Sequence, residues 1–336
     1  MTDLNRQWRV ATIPEEHLAA SNFVLETANR PEPSEGQALC RVLLISIDAA
    51  GRAWFKSDTY RRALRAGDVM PGFAIGQVVE SRCDGLSPGD IVTGDLGWQE
   101  YAAVDASRLE RIAPTRPLPN YLSVLGITGL TAYFGLLEAG ETKRGETVVV
   151  SAAAGATGTI VGQIAKLHGC RVVGICGSEE KQQWLTNSLG FDAAVSHRDP
   201  SLRDALRKAC PDGANVYFDN VGGPTLDAML STMAHGGRIV CCGAVSQYDT
   251  RGFAAGPRGV PGLLVLKSLT MRGFLLWDYI DRYPEGLKVL EGWLADGSLK
   301  PSEDILEGLE TAPEGLVGLL NGANFGKRMI RVANPA

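Results

Sequence analysis

The pattern of apolar and polar positions changes rhythm about a third of the way along the chain. From Val10 to Tyr101, short apolar stretches alternate with turn residues. "QALCRVLLISID", "FAIGQVVES" and "DIVTGDLGWQEYAAV" read as strands, with "LSPGD" as a turn between two of them. This part predicts an antiparallel, barrel-like domain. After "RPLPNYLSVLG", strands alternate with helix-length segments. "ETVVVS" is a strand, followed by a helix through His168, the strand "CRVVGIC", a helix from Ser178 to Leu189 and the short strand "AAVSH". Then come helix "SLRDALRKAC", strand "NVYFDN", helix "TLDAMLSTMAH", strand "GRIVCCG", helix "VPGLLVLKS" and strand "LTMRGF". Six continuous apolar strands separated by five helices predict an α/β domain, a doubly wound parallel sheet covered on both faces, over residues 122–295. The tail "EGLETAPEGLVGLLNGANFGKRMIRV" carries a helix and a strand from Lys327 to Val332. It is expected to return to the first domain, giving residues 1–121 with 296–336 as one domain and 122–295 as the other.

Composition narrows the class. At 336 residues, 45% hydrophobic and 21% charged, the chain can bury two cores without disulfide staples. A formal charge of −5 gives no general attraction to nucleic acid or an anionic membrane. The cluster Arg61, Arg62, Arg65 reads as a solvated face. "MTDLNRQWRV" lacks a signal-peptide layout and no apolar run reaches spanning length, so the expected location is the cytoplasm. The seven cysteines have no paired spacing. Cys241 and Cys242, adjacent in a strand, point to opposite faces and cannot grip one metal together.

Candidate chemistry centres on "SAAAGATG". The pattern Ala152-x-x-Gly155-x-x-Gly158 lies directly after a strand and opens a helix. Gly155 would let backbone approach a diphosphate, Gly158 would let the helix pack close, and the helix N-terminus offers free N–H groups to the anion. Ala152 requires only that the turn tolerate a methyl group. The second strand ends in Gly177-Ser178, with Lys181 one turn later and no carboxylate at the strand tip. A carboxylate there would bind a ribose 2′-OH; a hydroxyl and an ammonium suit a 2′-phosphate instead, so NADP(H) is expected over NAD(H).

Taken together, "LGITGLTAYFGL", "GETVVVSAAAGATG", "VGQIAKLHGCRVVGICGSEEK", "FDNVGG" and "GRIVCCGAVSQYD" resemble the zinc-independent medium-chain dehydrogenase/reductases. Within them, the chain resembles the alkenal double-bond reductases, prostaglandin (leukotriene B4 dehydrogenase) reductases and curcumin reductases. The resemblance implies a GroES-like N-terminal domain, a Rossmann domain, NADP(H) and a homodimer. It implies diphosphate contacts at Gly155, Ala156, Thr157 and Gly158, and 2′-phosphate contacts at Gly177, Ser178 and Lys181. It also implies cofactor contacts at Asn220, at Cys242, Gly243, Ala244, Val245, Ser246 and Tyr248, at Phe274, Leu275 and Leu276, and at Asn324. Two departures stand out. His197 in "SHR" takes the place of a family tyrosine, and would touch the 2′-phosphate with pH dependence near neutrality. "DAAGR" puts Ala50 where the family often has a substrate-pocket tyrosine, which opens the question of substrate.

The zinc alcohol dehydrogenases, the rival within this fold, need a His-Glu pair, cysteine ligands and a four-cysteine structural site. Here "MPGFAIGQVVES" carries Gly76 and Gln77 at the place of His-Glu, and none of His17, His168, His197 and His235 stands at ligand spacing from a cysteine, so no metal is expected. Without a Lewis acid, the reaction that fits is hydride addition to the β-carbon of an enone or enal, whose charge delocalises as an enolate. Tyr248 matches the family tyrosine that could stabilise that enolate or protonate its α-carbon. Packing on the cofactor is its other reading. Ala50, Tyr248 and Tyr279 are the expected substrate-pocket positions, and Trp54, Tyr60 and Trp98 could line it or serve the core. A quinone reductase of the same fold is the alternative reading, and a non-catalytic NADPH-binding protein the outlying one. No nucleophile elbow occurs, and "GANFGKR" is too short by one for a P-loop.

Overall fold

The computed structural model describes residues 3–58, 61–249, 256 and 260–336. The chain forms two units. The first comprises residues 1–122, 304–323 and 327–336; the second comprises 123–303 with the short segment 324–326. The return to the first unit thus falls at Asp304, and three residues of the tail belong to the second unit.

The first unit is built from β1 (Leu4–Val10), β2 (Phe23–Asn29), β3 (Gln37–Ser46), α1 (Ala50–Ala53), β4 (Phe73–Ser81), β5 (Ile91–Asp95), β6 (Tyr101–Asp105) and β7 (Glu110–Ile112). β14 (Glu303–Glu307), α9 (Ala312–Leu320) and β15 (Lys327–Arg331) complete it. β1 and β2 pair as an antiparallel ribbon. The main sheet runs β14-β15-β3-β4-β5-β7, with β6 also on β3. The pairs β3 makes with β4, β6 and β15 are antiparallel, and two register shifts against β4 bend it so that one strand serves three partners. Buried Val42, Ile45, Ala74, Val92, Leu316 and Ile330 fill the inside of this barrel-like layer.

The second unit contains α2 (Ile127–Phe134), β8 (Thr147–Ser151), α3 (Ala156–Leu167), β9 (Arg171–Cys176), α4 (Glu179–Leu189), β10 (Ala193–Ser196) and α5 (Leu202–Ala209). It continues with β11 (Ala214–Asp219), α6 (Gly223–Thr232), β12 (Met233–Cys241), α7 (Val260–Lys267), β13 (Thr270–Gly273) and α8 (Tyr283–Ala295). Its six strands lie in the order β10-β9-β8-β11-β12-β13, and all five pairings are parallel. Strand residues alternate between faces. Val148, Val150, Val172, Phe218 and Val240 pack under α2, α3 and α8. Val149, Val173, Ile175, Tyr217 and Ile239 pack on α5 and α6. Burial on both sides explains why the central strands β8 and β11 are apolar runs, while the edge strand β13 is mostly exposed. The chain order reverses between β8 and β11, so the crevice for a ligand lies at the carboxyl ends of these strands.

Several elements differ from the sequence expectation: "DIVTGDLGWQEYAAV" divides into β5 and β6, and β1, β2, β14 and α8 have no counterpart in it. The helix read through His235 ends at Thr232, and Met233 already pairs with Ala214. A Cβ on Gly237 would lie 2.8 Å from the Met233 methyl and 3.0 Å from the Ala234 carbonyl, and Gly236 has φ +72°. The glycine pair lets β12 start early through a bent lead-in, where helical periodicity gave no warning.

Candidate active site

β8 leads straight into the glycine loop. Ala152 adopts φ +47°, a left-handed conformation that favours glycine, so the alanine at the first fingerprint position carries strain of about 1 kcal/mol. Gly155 is extended at the N-cap of α3 and offers no side-chain cap, leaving the first-turn amides of Ala156, Thr157 and Gly158 facing outward. A Cβ on Gly158 would lie 2.4 Å from the Ala152 carbonyl oxygen and 2.8 Å from Ala153 Cα. The absence of both side chains lets α3 sit tight on the turn. Gly326 braces the loop, its N–H donating to the Ala154 carbonyl (2.8 Å) while it bridges to Gly155. Buried Asn324 is held next to it by a 2.8 Å bond from Nδ2 to the Gly326 carbonyl.

The tips of β8 and β11 are tied by one buried carboxylate. Asp219 Oδ1 accepts from the Ser151 hydroxyl (3.1 Å), the Tyr217 hydroxyl (2.8 Å) and the N–H groups of Val221 (2.9 Å) and Gly222 (2.8 Å). Four donors offset the cost of burying the charge. The knot fixes Asn220, whose N–H donates to Ser151 Oγ (2.9 Å) and whose side chain donates to the Ser151 carbonyl (2.7 Å). Burial, with Asp219 alongside, raises the Tyr217 hydroxyl pKa, and burial with Asp219 and Cys241 pushes the Cys242 thiol up to about 12. Cys242 is therefore a neutral thiol at physiological pH, a packing group and no nucleophile.

The Cys242–Tyr248 loop is laced to the segment after β11. Val245 N–H donates to the Asn220 carbonyl (3.2 Å), and Ser246 Oγ donates to the Val221 carbonyl (2.6 Å). A Cβ on Gly223 would meet Ser246 Oγ at 2.8 Å. Tyr248 ends a short 3-10 turn and folds back over its own loop, its hydroxyl oxygen accepting the Ala244 N–H at 3.3 Å. That bond occupies a lone pair and leaves the phenolic proton to give. Beyond β13, Phe274 packs on Phe218 and under Gly135, Leu276 is buried and Leu275 is 60% exposed.

At the tip of β9, Ser178 caps α4, its hydroxyl accepting the Lys181 N–H at 3.3 Å. Lys181 is only 7% exposed, with its ammonium 5.3 Å from the centre of the Phe325 ring. It is no ordinary solvated helix start. His197 follows β10 and comes within 3.1 Å of where a Cβ on Gly177 would be, with an Arg198 nitrogen at 3.8 Å. Burial first, then the charges of Arg198 and Lys181, lowers the His197 pKa. Sequence reading passed over Arg198, because its neighbour is a strand tip distant in sequence.

The pocket aromatics divide. Trp98 is 2% exposed and stacks on Phe23 at 5.4 Å, so it is a core residue of the first unit, and Trp54 is buried in the same core with Arg61 over its ring at 4.2 Å. Arg61 pairs with Asp95 and is partly buried, whereas the Arg62–Asp68 pair lies on the surface. Tyr60 lies outside the described residues. Ala50 opens α1 in the first unit. Tyr279, in the second, stacks on Phe134 with centroids 4.8 Å apart.

Glycine loop, Asn220, the Cys242–Tyr248 loop, Phe274–Leu276 and the cationic tip of β9 all sit at the carboxyl ends of a doubly wound sheet; they define an α/β protein shaped for a dinucleotide. Residues 6–112 match the family described as the N-terminal domain of oxidoreductase, and residues 156–292 match the one described as zinc-binding dehydrogenase. The chain is 44% identical to the putative NADP-dependent oxidoreductase YfmJ of Bacillus subtilis, with 100% of each chain covered. It is 39% identical to the NADPH-dependent curcumin reductase of Escherichia coli, over 98% of this chain and 97% of that one. CurA from Vibrio vulnificus in complex with NADPH superimposes with a TM-score of 0.93 at 38% identity, covering 98% of this chain and 100% of that one. The chain belongs to the medium-chain dehydrogenase/reductase family, on the branch of NADP-dependent oxidoreductases that holds the curcumin, prostaglandin and 2-alkenal reductases.

The word zinc in the family description does not fit this donor set. A Cβ on Gly76 would lie 2.7 Å from a Leu96 methyl and 3.2 Å from the Arg41 carbonyl, leaving no room for a ligand side chain. Gln77 Oε1 accepts from the Ala336 N–H at 2.9 Å. Among the described residues, no three His, Cys, Asp or Glu side chains converge as metal ligands, and no helix is long and apolar enough to cross a membrane.

Proposed function

We propose that this chain is an NADPH-dependent reductase of the carbon–carbon double bond of α,β-unsaturated ketones and aldehydes. The observation that carries the reading is the Tyr248 hydroxyl, set by the Ala244 N–H at 3.3 Å in the loop that Val245 ties to the Asn220 carbonyl. NADPH, when bound, supplies a hydride. The amides of Gly155, Ala156, Thr157 and Gly158 would hold its diphosphate, and Gly177, Ser178, Lys181 and His197 would surround the 2′-phosphate. Asn220, Cys242, Gly243, Ala244, Val245, Ser246, Phe274, Leu275, Leu276 and Asn324 would line the rest. The enolate oxygen formed on the substrate needs a donor and the α-carbon needs a proton; the Tyr248 O–H supplies one or both. Ala50 and Tyr279 are the further substrate positions. Likeness to a curcumin reductase supports an enone, since curcumin is a conjugated enone.

A homodimer fits the edge strand β13, flanked by Val265 (82% exposed), Leu266 (74%), Leu275 (60%) and Ile280 (59%). Exposed apolar side chains beside an unpaired sheet edge are what a second copy could cover. Incubation of purified protein with NADPH and a simple enone should oxidise NADPH and yield the saturated ketone. A hydroquinone from quinones, with no saturated product from any enone or enal, would replace this reading by quinone reduction. Tight NADPH binding without turnover on either panel would make the chain a binding protein.

A further inference from the structure

The tip of β9 gathers more positive charge than its own sequence carries. β10 ends at Ser196, whose hydroxyl accepts the Arg198 N–H at 3.1 Å and turns the chain across the end of β9. That turn brings His197 Cε1 to 3.1 Å and an Arg198 nitrogen to 3.8 Å from the point a Cβ on Gly177 would occupy. The missing side chain of Gly177 keeps the space open. Three groups act on the imidazole: Arg198 beside it, Lys181 from α4, and the Cys176 carbonyl of β9, which also accepts the His197 main-chain N–H at 3.0 Å. No carboxylate is among them, and Arg198 has no ion-pair partner among the described residues.

We propose that Arg198 and His197 join Lys181 in reading the cofactor 2′-phosphate, and that His197 takes up a proton when that phosphate binds. The inference rests on the NADPH reading and adds to it a residue and a proton. Without an anion, burial and the charges of Arg198 and Lys181 favour neutral imidazole. A phosphate monoester carries about −1.5 to −2 charges at neutral pH, so placed among these groups it reverses the local sign and favours imidazolium. Binding and protonation are then linked, and affinity for the phosphorylated nucleotide rises as pH falls toward neutrality. The phosphate has its own second pKa near 6, which works in the opposite direction below about pH 6. A variant lacking only the imidazole separates the two.

The test is calorimetric titration of 2′,5′-ADP and NADP⁺ into the full-length wild type, His197→Phe and Arg198→Ala. Each is run near neutral pH in two buffers of different ionisation enthalpy, with NAD⁺ as reference ligand. Wild type should take up between about half and one proton per bound nucleotide, and His197→Phe close to none. Arg198→Ala should weaken 2′,5′-ADP and NADP⁺ by tenfold or more, the loss of one charge-assisted contact, and leave NAD⁺ within about twofold. Equal proton uptake in wild type and His197→Phe would overturn the protonation step. Equal losses for NADP⁺ and NAD⁺ in Arg198→Ala would overturn the assignment of Arg198. If wild type binds NADP⁺ no more tightly than NAD⁺, the NADPH reading itself fails.

Discussion

Replacing Gly158 by alanine puts the glycine loop under direct load. The added Cβ would lie 2.4 Å from the Ala152 carbonyl oxygen and 2.8 Å from Ala153 Cα, and both are backbone atoms that cannot rotate aside. Ala152 is already held at φ +47°, so relief has to come from α3 sliding off the turn. Overpacking of this kind costs about 1–3 kcal/mol, offset by at most about 1 kcal/mol for alanine over glycine in a helix. The net destabilisation is roughly 1–2 kcal/mol, or about 2–8 °C in Tm for a unit of this size. Binding should suffer more, because the amides that face the diphosphate move with the helix, and a loss of about 1.4 kcal/mol there is tenfold in affinity. Gly155→Ala is the internal control: its Cβ would meet only the Ala152 oxygen, at 3.1 Å, so stability should fall less. Thermal melts followed by circular dichroism and calorimetric titration with NADP⁺ read the two effects separately. If Gly158→Ala melts within about 1 °C of wild type and binds NADP⁺ with wild-type affinity, the loop is not the close-packed cradle described here.

Lys181→Ala should weaken NADP⁺ by about ten- to hundredfold and NAD⁺ little, since one charge-assisted contact is lost from one ligand only; equal losses in titrations of the two would contradict the role of Lys181. Tyr248→Phe should lower kcat more than it raises the KM for the enone, by about 10²-fold if the phenol is the proton source, and unchanged kcat would remove Tyr248 from the chemistry. Asp48 predicts an acid effect on stability. Partial burial raises its pKa, but Lys327, with Nζ 2.5 Å away, and the Ser46 hydroxyl more than offset this and hold the carboxyl below its ordinary value. A depressed carboxyl contributes stability above its unfolded pKa of about 3.9 and loses it as pH falls through the folded value. Asp48→Asn should therefore flatten the stability curve below about pH 4 in chemical denaturation. At neutral pH it should cost about 1–3 kcal/mol, less than a fully buried pair because Asp48 is 43% exposed while Lys327 is 3%.

Features carried by local pattern were legible in the sequence: β8, the glycine loop and α3 follow one another along the chain, and a strand buried on both faces has to be a continuous apolar run. The Ala152 substitution was visible as a departure, but its left-handed backbone was not, because a methyl group does not announce its φ. Features made by convergence were hidden. Asp219 looked like one letter of "FDNVGG", while its four donors come from the ends of two strands and a turn. Arg198 meets Gly177 only because β10 lies beside β9 in the sheet. The start of β12 was missed for a related reason: Met233 and Ala234 continue a helical pattern, and pairing with β11 overrides it.

In the proposed reaction, hydride goes to the β-carbon of an enone. Turnover of a simple enone with NADPH deuterated at the transferable C4 position, followed by NMR of the product, tests this directly. Addition at the β-carbon gives a saturated ketone with deuterium on the β-carbon and a solvent-derived proton on the α-carbon. An allylic alcohol with deuterium on the former carbonyl carbon would contradict it.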